Sequence, residues 1–135
     1  MAFFSIIIPV YNTQEWIKRC LDSCIQQTFS EIEIIVVDDC GNDDAINIAT
    51  QYSKLDSRIK IISNKENLGL FHTRIAGEKQ ASGEYIICLD SDDFIDTKLC
   101  EIVFKKITRY KKENRGGGAR YCKFWRNSLP YSSIS

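Results

Sequence analysis

The sequence predicts an α/β domain built on a mostly parallel sheet with helices on both faces. Three observations carry that prediction. Short, near-continuous apolar runs rich in β-branched residues recur along the chain, as expected of strands buried on both faces. Segments with apolar residues at three-to-four spacing lie between those runs. The strand-like runs also end in small polar or acidic clusters, which is where open parallel sheets place their ligands. With 135 residues, 44% of them hydrophobic, the chain is long enough for one such domain with a genuine core.

Phe4-Ser5-Ile6-Ile7-Ile8-Pro9-Val10 is the first strand, too apolar for a half-exposed edge and ended by proline. Thr13 is placed to cap a helix whose Trp16, Ile17, Cys20, Leu21, Cys24 and Ile25 form one buried face. Ile32 to Val37 is the second strand. It runs into Asp38-Asp39-Cys40-Gly41-Asn42-Asp43-Asp44, whose short polar side chains form a turn and an acidic helix start, and a second helix covers Ala45 to Leu55. A third strand spans Ile59 to Ile62, followed by the turn formers Asn64 to Gly69. A third helix covers Leu70 to Gln80, stopped by Ser82-Gly83. Tyr85 to Leu89 is the fourth strand, and after the acidic run Asp90-Ser91-Asp92-Asp93 a last helix covers Thr97 to Tyr110. This alternation places Pro9-Val10-Tyr11-Asn12, Asp38-Asp39 and the Asp90 run at one edge of the sheet, with strand order left open beyond sequential neighbours.

The zero formal charge conceals an asymmetry: residues 1–104 hold 9 basic and 17 acidic residues, and residues 105–135 hold 9 basic and 1 acidic. Composition breaks near Asn114. The domain is therefore expected over residues 1–113, with a basic, poorly patterned tail over 114–135. Basic residues mixed with Tyr110, Tyr121, Phe124, Trp125 and Tyr131 suit either a solvated tail or a peripheral contact with anionic membrane. The three glycines 116–118 also suit a slipped reading frame in a guanine-rich repeat. Six cysteines without a CxxC pair read as reduced core residues of a cytoplasmic protein. No export signal or membrane-spanning run is read, and the acidic body argues against broad nucleic-acid binding.

Asp90 and Asp92, two residues apart beyond a strand, fall on one side of an extended chain, and a turn at Ser91 would still keep them close. Paired carboxylates repel unless a cation neutralises them, and Mg²⁺ or Mn²⁺ suits an oxygen-only set that can also meet phosphate. Zinc is disfavoured because His72 is the only histidine, and an EF-hand loop would need a glycine and a twelfth-position glutamate that are missing. The plainer alternative is that Asp92 and Asp93 cap the next helix. One of Asp38 and Asp39 could accept an N–H from a nucleobase or bind ribose, or both could simply form the turn, and no dinucleotide glycine fingerprint follows the first strand. Arg74 could pair with phosphate or with an acidic loop, and His72 is given no role. The rival enzyme class, a nucleotidyltransferase or phosphatase, is weakened because the sequence carries no GxxxxGK[ST] loop.

Taken in order, "FSIIIPVYN", "IEIIVVDDCGNDD", "NLGLFHTRIAG" and "GEYIICLDSDDF" resemble the nucleotide-binding half of family 2 glycosyltransferases over about residues 3–104. The resemblance implies a GT-A type, Rossmann-like fold, here truncated. It further implies metal-dependent, inverting transfer from a nucleotide-sugar, most often a UDP-sugar, to a saccharide or lipid-linked acceptor, as in polysaccharide or lipooligosaccharide assembly at the cytoplasmic face of a membrane. Carried over, Pro9, Val10 and Tyr11 line the base pocket, Asp39 holds the uracil ring, and Gly69 and Arg74 approach the phosphates or brace the site. Asp90-Ser91-Asp92 is the DxD-type motif, with Asp90 and Asp92 as metal partners and Asp92 the closer. The family's general base lies well beyond this motif. Of the carboxylates after Asp93, namely Asp96, Glu101 and Glu113, none resembles it, and Asp96 and Glu101 are expected on the last helix. Donor binding without transfer is therefore the alternative activity.

Overall fold

The computed structural model describes residues 2–113 and the backbone of residues 121–122. Strands β1 (Phe4–Val10), β2 (Ile32–Asp38), β3 (Ile59–Ser63) and β4 (Tyr85–Cys88) alternate with helices α1 (Ile17–Ile25), α2 (Ala45–Leu55), α3 (Leu70–Gln80) and α4 (Leu99–Glu113). A two-residue β5 (Tyr121–Cys122), which the sequence patterning gives no reason to expect, pairs with β4. Every pairing is parallel, and the order is β3-β2-β1-β4-β5. This is the expected α/β fold. The reversal of winding between β1 and β4 opens a crevice at the carboxyl end of β1, the place where such sheets bind ligands.

Alternation along the strands splits the core in two. Phe4, Ile6, Ile8 and Val10 of β1, with Ile32, Ile34 and Val36 of β2 and Ile87 of β4, pack against Ile17, Leu21, Ala49, Leu99 and Val103 from α1, α2 and α4. The opposite face holds the smaller cluster of Ile7, Ile35, Val37 and Cys88, covered by α3. A β-carbon at Gly77 would collide with Ile7 Cγ2 and lie 3.1 Å from Val37 Cγ2, so glycine lets α3 sit close on the sheet. The close seat of α3 fixes where its N-terminal half, with Thr73 and Arg74, meets the crevice.

Cys20, Cys24, Cys88 and Cys100 are buried free thiols, and Cys40 is a partly buried one. Burial pushes the Cys100 thiol up to about 12, which keeps it neutral, as expected of core cysteines. Cys122 and the rest of the basic tail beyond Glu113 fall outside the side chains described. Among the described residues no helix is long and apolar enough to cross a membrane.

Two expectations and one alternative are corrected. Thr13 does not cap α1 through its side chain: α1 starts at Ile17, its cap position is Trp16, and the Thr13 carbonyl accepts from the amides of Trp16 and Ile17 at 2.9 Å. Asp92 and Asp93 do not cap α4, which begins at Leu99. Asp96 serves that end instead, its carboxylate accepting from the Lys98 amide at 2.9 Å and its carbonyl from Leu99 at 3.0 Å. Asp96 therefore precedes the last helix rather than belonging to it.

Candidate functional site

A cleft of about 340 Å³ opens at the carboxyl ends of β1, β2 and β4. Pro9, Val10 and Tyr11 from the end of β1, Asp39 beyond β2, Gly69 at the start of α3, and Asp90, Ser91 and Asp92 beyond β4 all line it. Those are eight of the nine residues singled out from the sequence. The ninth, Arg74, reaches the cleft's edge by donating from Nη2 to Asp90 Oδ1 at 2.8 Å. Thr13, Asn67, Leu70 and Thr73 also line the cleft and were missed. Thr13 read as a helix cap and Asn67 as a turn former, and the apolar-then-polar start of α3 gave no period to distinguish Leu70 or Thr73.

The two aspartates after β2 divide their work. Asp38 accepts the Cys40 amide at 2.9 Å, the local side-chain turn expected of short acidic residues. Asp39 is 4% exposed, and its carboxylate gathers the loop before α3. Oδ1 accepts from the Leu68 amide at 2.8 Å and from Asn64 Nδ2 at 2.9 Å, and Oδ2 from the Gly69 amide at 3.0 Å. Burial alone would raise this group. The hydrogen bonds from Leu68, Asn64 and Gly69 outweigh it and hold the carboxyl below its ordinary value, so Asp39 is an anion inside the cleft. The Thr73 hydroxyl adds to the same effect, so the carboxylate is held from several sides. Gly69 adopts φ +84, a left-handed conformation that glycine reaches without steric cost. In that geometry its carbonyl accepts both the amide of Thr73 at 3.0 Å and its hydroxyl at 2.7 Å, which starts α3.

The run after β4 closes as a turn, with the Asp93 amide donating to the Asp90 carbonyl at 2.9 Å. Carboxylate oxygens of Asp90, Asp92 and Asp93 come within 4.8 Å of one another, Asp93 buried and Asp92 the most solvent-facing. The extended-strand alternative for placing Asp90 and Asp92 together is thus replaced by the turn. Ser91, 3% exposed, shares a 2.7 Å hydroxyl bond with Thr13, which fastens this turn to the loop after β1. Three clustered carboxylate donors, with no soft ligand among them, fit a hard divalent cation. Of the later carboxylates none lines the cleft: Glu101 lies 3.9 Å from Lys105, Glu113 pairs with Arg109 at 3.3 Å, and Asp96 starts α4.

Comparison with known proteins places this geometry in a family. The profile described as Glycosyl transferase family 2 matches residues 5–128. The chain is 40% identical over 109 residues to glycosyltransferase GlyA of Streptococcus pneumoniae serotype 4, covering 81% of this chain and 16% of that protein. It is 35% identical over 102 residues to the cholesterol galactosyltransferase of Borreliella burgdorferi, covering 76% and 28% respectively. Among solved structures, residues 1–349 of S. aureus TarS in complex with UDP-GlcNAc superpose with TM-score 0.76 at 33% identity, covering 82% of this chain and 32% of that one. The chain thus spans under a third of the length of each of these relatives. A family profile over most of the sequence, relatives at this identity and a shared fold agree: the chain belongs to glycosyl transferase family 2.

Proposed function

We propose that this chain is the donor-binding part of a glycosyltransferase that takes a sugar from a nucleotide-sugar, a UDP-sugar before others, with a divalent cation, Mn²⁺ or Mg²⁺, held at Asp92 and Asp90. One observation carries the reading. The charged residues lining the cleft, Asp39, Asp90 and Asp92, are all acidic, and the nearby cation Arg74 is engaged with Asp90. A nucleoside diphosphate is itself strongly anionic, so this cleft would repel it unless a bound cation reverses the local charge. When bound, such an ion would balance the charge that develops on the diphosphate as it leaves the sugar.

The chain's own residues supply the rest. Pro9, Val10 and Tyr11 form a wall for the base, and the anionic Asp39 beside them suits an N–H on a pyrimidine ring. Gly69 presents backbone without a side chain where the donor passes. Arg74 offsets the repulsion among the three carboxylates. The chemistry proposed for the whole protein is a single displacement with inversion, in which a hydroxyl of a saccharide or lipid-linked acceptor attacks the anomeric carbon and the carbon–diphosphate bond breaks. No carboxylate among the described residues after Asp93 stands in the cleft to take that hydroxyl proton, so donor binding is the activity expected of this chain by itself. The similarity to TarS solved with UDP-GlcNAc supports the uridine preference. The cytoplasmic membrane face is proposed as the place of action, with the basic tail in contact with anionic lipid.

Calorimetry with UDP, GDP and ATP, each with and without Mn²⁺, tests the reading. UDP binding that requires the metal and disappears in Asp92→Ala is the expected result. Equal, metal-independent binding of all three nucleotides would refute it.

A further inference from the structure

Arg19, on the outer face of α1, has no role in the donor site as described so far, yet it is held in an unusual way. Its guanidinium lies 5.0 Å from the ring centre of Trp16 and 4.5 Å from that of Phe94. Both rings are about half exposed, at 44% and 49%, and neither belongs to the apolar core. From this position Nη2 donates to the backbone carbonyl of Asp92 at 3.1 Å. Asp92 and Phe94 belong to the acidic turn and the residue just after it, so one arginine ties the first turn of α1 to that turn by a hydrogen bond and a stack.

Asp90 and Ser91 of the turn have such fastenings too. Arg74 holds the Asp90 carboxylate, the Cys20 thiol lies 3.7 Å from the Asp90 carbonyl, and Thr13 holds Ser91. Arg19 supplies the corresponding hold on Asp92, the outermost of the three acidic residues. A planar guanidinium can stack on rings and donate in its plane at the same time, which an ammonium cannot do. Each exposed ring contact is weak, too little to matter for folding but enough to bias one loop geometry over another.

We infer that Arg19 is a positioning residue: held against the rings of Trp16 and Phe94, it fixes the peptide of Asp92 and thereby the direction in which the Asp92 carboxylate meets a divalent cation. This rests on the acidic turn being a cation site. Positioning and simple Coulomb repulsion act on the ion in opposite directions. A positive side chain beside a cation site repels the ion, so if charge alone mattered, its removal would tighten binding. If positioning dominates, its removal weakens binding.

The test is titration of the 135-residue chain with Mn²⁺, read by loss of the free-ion electron paramagnetic resonance signal, in wild type, Arg19→Met, Arg19→Lys and Asp92→Asn. Arg19→Met should weaken Mn²⁺ binding on the order of tenfold, the lower end of what partners of ligating groups are worth. Arg19→Lys should recover only part of the loss, with thermal midpoints of both variants within a few degrees of wild type. Trp16→Leu, which removes one of the two rings but keeps the charge, should weaken binding in the same direction. Unchanged or tighter binding in Arg19→Met, with Asp92→Asn still defective, would overturn the positioning role while leaving the cation site intact. Absence of Mn²⁺ binding in wild type, with or without UDP, would overturn the cation site and the positioning role together.

Discussion

Arg74 donates to Asp90 at the edge of the cleft at 2.8 Å, joining α3 to the acidic turn after β4. Their side chains are only 13% and 22% exposed, so the pair is screened less than a surface ion pair. It also ties together the two faces of the sheet's working edge, because α3 covers one face while the residues after β4 lead to α4 on the other.

Arg74→Ala should destabilise the chain by about 2 kcal/mol, between the cost of breaking an exposed pair and that of breaking a fully buried one. The mechanism is the loss of the cation that offsets three neighbouring carboxylates. A divalent cation that binds the turn should therefore rescue the variant. Urea unfolding with and without Mn²⁺ checks both halves, the expected outcome being a larger metal-induced rise in midpoint for Arg74→Ala than for wild type.

Asp39→Asn should loosen the loop that precedes α3. The substitution replaces one acceptor oxygen with an NH₂ group, and whichever way the amide turns, a donor then faces the Leu68 and Asn64 donors or that of Gly69. A conflict of this kind in a buried site costs about 1–3 kcal/mol. Hydrogen exchange resolved to single amides should show Leu68 and Gly69 exchanging roughly tenfold or more faster, since each 1.4 kcal/mol is a factor of ten. The amides of β1 should be little affected. Equal protection in wild type and variant would show that the loop is held by other contacts.

Much of this was legible in the sequence because the strands of a parallel sheet announce themselves. The run Phe4–Val10 and the bounds of α2 and α3 follow from apolar continuity, spacing and flanking turn residues, all local signals. The convergence of Asp39, Asp90 and the end of β1 followed from one topological rule, that ligands gather at the carboxyl edge. What could not be read is what depends on contacts distant in sequence. Thr13 looked like a cap because capping is local, whereas its hydroxyl meets Ser91, 78 positions away. Nothing near Arg19 in sequence points to Asp92, 73 positions on, so its contact there had no local signal. Asp38 and Asp39 are indistinguishable side by side, and only the loop returning from β3 makes them different.

Gly77→Ala should destabilise the fold although the residue lies inside a helix. Alanine is the better helix former by about 1 kcal/mol. Against this, the added methyl has to displace Ile7 Cγ2 and crowd Val37 in the core under α3, and overpacking of this kind costs about 1–3 kcal/mol. The net expectation is a loss of about 1–2 kcal/mol by chemical denaturation, because the clash is with branched, buried side chains that have little freedom to move. A stabilised variant would mean that α3 can lift from the sheet without cost.

Glu33 supplies an acid-sensitive fastening at the end of the sheet opposite the cleft. Its side chain is nearly buried and accepts from the Ser5 hydroxyl, the Ser82 amide and hydroxyl, the Gly83 amide and Lys60. Burial alone would raise this carboxyl, but the hydrogen bonds from Ser5, Ser82 and Lys60 outweigh it and bring it down to about 2. Because the folded value lies below the unfolded one, near 4.5, the folded state holds this group ionised where the unfolded chain would take up a proton. The stabilisation is therefore fully present above about pH 4.5 and is lost as pH falls from there towards 2. Glu33→Gln should cost about 2 kcal/mol at neutral pH, since it removes the charge partner of Lys60 and turns one acceptor into a donor facing other donors. It should also flatten the dependence of stability on pH across that acid window, because no proton remains to be bound. Urea midpoints of wild type and variant measured between pH 6 and pH 3 should converge as pH falls, and parallel curves would show that the acid sensitivity of the fold lies elsewhere.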